Sequence, residues 1–296
     1  MDRSLRLAAI LSLACGVSLT AQLPASVFDY ARARPFRVTV TGTQERGGAR
    51  ITEFTCDRVT SGRRAATLVE PSGSTRAARP GILFVHWYEP PNPTSNRTEF
   101  LPDAIALAGQ GAVSLLVDTM WSDPAWFESR DPASDLGHSI EQVKELRRAL
   151  DLLSTRPGVD AGRLLYVGHD FGAMYGAIVA GLDARRLKAF VFMAGTKSFS
   201  DWFLLWPRLD DPAARAAVVD RVAPLDPTRY LAMPASLPML LQFASQDRFV
   251  PRAAADAIVA SVRTPKDVRW YDAPHSLNAE ATRDRIAWLA RHLQRP

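Results

Sequence analysis

Leu164-Leu165-Tyr166-Val167-Gly168-His169-Asp170-Phe171-Gly172-Ala173-Met174-Tyr175-Gly176-Ala177 is the stretch that decides how this chain folds. An apolar run of the length of a buried strand meets Gly-x-Asp-x-Gly and passes directly into a helix-forming segment. A link that short forces its central residue into a strained conformation. Side chains at the flanking positions would collide with the turn, which the two glycines avoid. The segment reads as a nucleophile elbow with Asp170 at its tip, where Ser or Cys is the usual occupant.

On either side of the elbow, strand and helix alternate. Residues 81–85, 112–117, 164–167, 189–193, 238–243 and 268–271 read as apolar strands, with helices near 98–110, 139–155, 171–182, 251–262 and 280–293. The second helix carries the most local signals. Ser139 and Gln142 fit a capping box, Val143, Leu146, Leu150 and Leu153 share a face, and Pro157-Gly158 ends it. Shorter alternating segments at 36–41, 51–56 and 65–69 read as antiparallel strands ahead of this array. The expected class is α/β: a mostly parallel central sheet covered by helices on both faces, with N-terminal antiparallel strands.

Ligands of such sheets sit beyond the carboxyl ends of the strands. Three loops leave those ends with reactive residues: His86-Trp87-Tyr88-Glu89-Pro90-Pro91, Gln246-Asp247-Arg248-Phe249-Val250-Pro251, and Asp272-Ala273-Pro274-His275. His86 reads as a buttress of its loop, and His138 and His292 as helix-end and solvated-face residues. Asp118, after the 112–117 strand, is a rival to Asp247 as the acid. No His or carboxylate set has metal-ligand spacing, so neither a metal nor another cofactor is expected.

At 296 residues, 47% hydrophobic and 23% charged, the chain is sized for one large domain. Its net charge of +5 comes from arginines scattered along the whole length, so no nucleic-acid partner is expected. Residues 1–21 read as a signal peptide: Arg3 and Arg6 precede an apolar run from Leu7 to Leu19, and Thr20-Ala21 are small. That run falls short of the ~20 apolar residues needed to span a bilayer. The expectation is an exported protein, periplasmic or extracellular, with 22–296 as a single domain in which Cys56 is the only cysteine. The sequence gives no oligomeric state.

From about residue 60 onward the chain resembles an α/β-hydrolase, with Asp170, Asp247 and His275 in the order nucleophile, acid, histidine. Its architecture is similar to that of dienelactone-hydrolase-like members, whereas Asp at the elbow is shared with haloalkane dehalogenases and epoxide hydrolases. Phe171 stands where dehalogenases place Trp, and the 196–236 segment is short for an epoxide-hydrolase cap. That segment reads as a small lid, with Trp202 and Trp206, together with Trp87 from the first loop, as candidate substrate contacts.

The resemblance implies hydrolysis of a small organic substrate through a covalent ester on Asp170. His275, oriented by Asp247, would activate the water that resolves it. The backbone N–H groups of Tyr88 and Phe171 would form the oxyanion hole. An ordinary aspartate, with a pKa near ~4, would be ionised at neutral pH and ready to attack. Two alternatives stay open: an esterase-like acyl hydrolase, and a catalytically degenerate α/β-hydrolase-fold protein that binds without turnover.

Overall fold

The computed structural model describes residues 22–73 and 77–294; the signal-peptide expectation at 1–21 lies outside the described residues. The described residues form a nine-stranded sheet. β1 (Thr39–Arg46), β2 (Ala49–Asp57) and β3 (Arg63–Pro71) make an antiparallel meander. β3 then pairs antiparallel with β5 (Val113–Val117), which with β4 (Arg79–Val85), β6 (Val159–His169), β7 (Leu187–Met193), β8 (Met239–Ala244) and β9 (Lys266–Tyr271) forms the parallel part. The spatial order is β1-β2-β3-β5-β4-β6-β7-β8-β9, which puts β4 and β6 side by side at the middle of the sheet.

The strand period of two divides the core. Leu83 and Val85 face one apolar cluster with α3 (Asp135–Ser154), α4 (Phe171–Leu182) and α8 (Arg252–Ser261). Ile82 and Phe84 face the other, with α1 (Leu101–Ala108) and α9 (Ala279–Leu293). Both faces are therefore covered, as the apolar strands require.

Every strand and helix expected from the sequence is present, with shifted ends. β1 begins at Thr39 rather than at 36, because Arg37 has φ 46°, a left-handed conformation no strand accommodates. The capping box at Ser139 is a correction. α3 starts one turn earlier, at Asp135. Ser139 Oγ pairs with the Tyr175 hydroxyl at 2.8 Å, and Gln142 Oε1 accepts from Met120 N–H at 2.9 Å. Both residues are tertiary tethers inside the helix. The sequence reading had no helix for α2 (Trp126–Ser129), nor for the three in the 196–236 segment: α5 (Ser200–Phe203), α6 (Pro212–Val222) and α7 (Pro227–Leu231). No helix of the described residues is long and apolar enough to cross a membrane.

Candidate active site

The elbow forms as its glycines demand. Asp170 has φ 58° and ψ −121°, a conformation costing a non-glycine residue on the order of 1–3 kcal/mol. A Cβ on Gly168 would lie 2.3 Å from the Gly172 carbonyl oxygen, and one on Gly172 would lie 2.2 Å from that of Val85. The helix start is thus pressed against the end of β4, and this contact brings the β4 loop to the Asp170 carboxyl. Tyr88 N–H donates to Asp170 Oδ2 at 2.8 Å, and Phe171 N–H also bonds the carboxyl.

The other carboxyl oxygen, Oδ1, lies 4.0 Å from His275 Nε2. His275 Nδ1–H donates to Asp247 Oδ2 at 2.8 Å, while Asp247 Oδ1 accepts from Phe249 and Val250 N–H at 2.8 and 3.0 Å. Burial works to raise the Asp247 pKa. The hydrogen bonds from His275 and the two backbone amides outweigh it and hold the carboxyl below its ordinary range. Asp170, His275 and Asp247 thus come together in one chain of contacts. Asp118 does not join them. It pairs with Arg97 at 2.8 Å and accepts from the Arg97 backbone N–H at 3.1 Å.

One expectation needs correction. Asp170 is 3% exposed, and burial pushes its pKa up to about 8, against the opposing pull of His275 and the Tyr88 N–H. At pH 7 the carboxyl is mostly protonated, not ionised.

Behind the elbow lies an arrangement the sequence reading missed. Glu99 Oε2 accepts from Trp87 N–H at 2.8 Å, Glu99 Oε1 meets His169 Nδ1 at 2.6 Å, and His169 Nε2 faces the His275 carbonyl oxygen at 3.1 Å. One carboxylate therefore ties the Tyr88 loop, the elbow and the His275 loop together. The available signal was the imidazole inside the elbow itself, which needs partners when buried beside a nucleophile. His86 behaves as a buttress. Its Nδ1–H donates to the Trp87 carbonyl at 2.7 Å, its Nε2 accepts from Ser122 Oγ at 2.8 Å, and burial lowers its pKa, so it stays neutral.

A cavity of about 250 Å³ opens in front of Asp170 and His275. Tyr88, Phe127, Phe171, Trp202 and Phe249 give it an aromatic lining, with Leu205 and Pro90 beside them and Glu89 as its further acidic residue. Of the three candidate tryptophans, only Trp202 lines the cavity. Trp87 is 4% exposed and stacks on His169 at 5.0 Å, behind the triad, because its backbone is held there by Glu99. Trp206 is 44% exposed and donates to the Glu128 carbonyl, away from the lining. His138 sits exposed in the first turn of α3, and His292 is buried against Trp288 rather than solvated.

Arg130 fastens the cavity walls. Its guanidinium lies between the Phe127 and Phe203 rings at 4.5 and 4.9 Å, donates to the carbonyls of Phe203 and Trp206, and pairs with Asp135 at 3.3 Å. The α2 side and the α5 side of the cavity thereby share one cation. Among the described residues no cluster of His, Cys, Asp and Glu could hold a metal ion.

No family model matches the chain, and no curated protein matches it. Solved structures do. An acetyl xylan esterase from Paenibacillus sp. R4 superposes with a TM-score of 0.72 at 19% identity, over 91% of this chain and 92% of that one. Acetyl xylan esterase 1 from Thermoanaerobacterium sp. JW/SL YS485 gives 0.67 at 13% identity, over 90% and 91%. An S-formylglutathione hydrolase from Agrobacterium tumefaciens gives 0.63 at 15% identity, over 86% and 99%. At such identities the agreement speaks to architecture alone, and the architecture is the α/β-hydrolase fold.

Proposed function

We propose that this protein is a hydrolase that opens a small organic electrophile through an alkyl ester on Asp170. The observation that carries the reading is the unequal setting of the two Asp170 oxygens: Oδ2 is bonded to Tyr88 N–H, while Oδ1 faces His275. In the ionised form, Oδ1 attacks an sp³ carbon; the new C–O bond forms as the bond to the leaving group breaks, and the leaving group takes the electron pair. His275 Nε2 then removes a proton from water, whose oxygen adds to the Asp170 carbonyl carbon. The negative charge develops on Oδ2, where the Tyr88 N–H already points, and the Phe171 N–H bonds the same carboxyl. Collapse breaks the bond to the alkyl oxygen, which leaves as the alcohol with the proton from His275.

Asp247 fixes the Nδ1–H tautomer, leaving Nε2 as the base. The solved structures similar in fold carry the names of ester-cleaving enzymes. The second half of this scheme is also ester hydrolysis, on an ester that the enzyme itself builds. An exported location, with residues 1–21 removed, belongs to the same proposal.

The test is His275→Gln incubated with alkyl halides and epoxides. The first step survives, the second stops, and the added mass accumulates on the peptide containing Asp170. A second reading, binding without turnover, draws on the burial that keeps Asp170 protonated near neutral pH. It predicts no adduct in either protein at any pH up to 9.

A further inference from the structure

The cavity in front of Asp170 constrains its occupant by size and by charge. Its volume is about 250 Å³. A dry cavity of ~150 Å³ lined by apolar side chains takes up benzene. The present one therefore has room for a single ring with a short side arm. Phe171 and Trp202 meet edge to face at 4.8 Å, and with Phe127 and Phe249 they offer ring faces and edges around the space.

Charge narrows the choice further. Among the described residues no Lys or Arg lines the cavity. Arg130 lies behind the Phe127 wall, committed to two carbonyls and Asp135. Arg248 lines the adjoining cleft, which shares Glu89, Phe249 and His275 with the cavity, but Arg248 itself is not part of the cavity lining. Glu89 is half-buried in the lining it shares with Asp170, and among the described residues it forms no ion pair. A carboxylate entering this space would lose its hydration and meet like charge without a counter-ion.

We infer that the site accepts uncharged or cationic aryl-alkyl molecules and rejects their carboxylate counterparts, with Glu89 as the residue that discriminates by charge. The substrate would carry its reactive carbon on the short arm, next to Asp170 Oδ1. This rests on the covalent-hydrolase reading for what happens to the molecule, but not for whether it binds.

Isothermal titration calorimetry at pH 7.5 with three unreactive ligands of one shape tests it: phenethylamine, phenylacetamide and phenylacetate. Phenylacetate should bind at least about tenfold more weakly than phenylacetamide, with phenethylamine the tightest. Glu89→Gln should erase most of the amine's advantage and leave the amide unchanged. Phenylacetate binding as tightly as the amide, an amine advantage untouched by Glu89→Gln, or no binding of any ligand at millimolar concentration would each overturn the inference. None of these ligands has a leaving group, so the ranking can hold while adduct formation on His275→Gln fails, and the reverse.

Discussion

Asp170→Asn should make the protein more stable, and increasingly so as pH rises. The folded chain holds the Asp170 carboxyl at a pKa of about 8, against an ordinary value of 3.8. Between those two pH values the unfolded state has released a proton that the folded state keeps, so stability falls as pH rises through the window and levels off above about 8. The loss is about 1.4 kcal/mol for each pH unit, or about 3 kcal/mol from pH 5 to pH 7. For a domain of this size about 1 kcal/mol moves Tm by roughly 2 °C, so the wild type loses about 5 °C relative to the variant over that interval. Asparagine has no proton to lose, its carbonyl can still accept the Tyr88 N–H, and the remaining titrating groups are common to both chains. The measurement is Tm by calorimetry for both proteins from pH 4.5 to 9 at constant ionic strength, plotted as a difference. A difference that stays flat between pH 5 and 7 would refute the burial argument for Asp170.

Asp170→Ser should gain or raise hydrolysis of simple esters, since Asp247 and His275 can activate a hydroxyl and the Tyr88 and Phe171 N–H groups serve an acyl oxyanion. A wild type that already cleaves such esters faster than the Ser variant would sink the account of the nucleophile. The alkylation rate of the His275→Gln protein should rise with pH across 6 to 9, following ionisation of Asp170, whose pKa moves further up once the pull of His275 is lost; a rate independent of pH over that range would contradict it. Expression in a host with a secretion pathway should give a mature N-terminus near Gln22, read by intact mass, and a fully active cytosolic protein retaining Met1 would remove that expectation.

The order of strands and helices was legible in the sequence because each strand of the parallel part is a compact apolar run between turn residues, and Gly168 and Gly172 mark a backbone contact that no other residue permits. The short helices of the 196–236 segment were not. α5 has four residues and α7 five, too few for a periodic pattern to stand out. Within the site, Asp170, Asp247 and His275 could be located from loop positions. Rejecting Asp118 needed the tertiary pairing with Arg97, and placing Trp87 behind the triad needed the hydrogen bond from its backbone to Glu99, twelve residues along the chain. The Asp170 ionisation went astray for a related reason: a pKa is set by the surroundings the fold assembles, and the residue type supplies only its starting value.

The Arg130 clamp bears on how this cavity could be reshaped. Because one guanidinium holds the carbonyls of Phe203 and Trp206 while resting against Phe127, loosening either wall by grafting in a longer loop would strand a buried cation and unsettle both. Side-chain exchange at Leu205 or Phe249, which line the space and supply none of that clamp's hydrogen bonds, leaves the framework standing. For anyone seeking a roomier version of this pocket, the practical route is to trim its upholstery and leave its hinges alone.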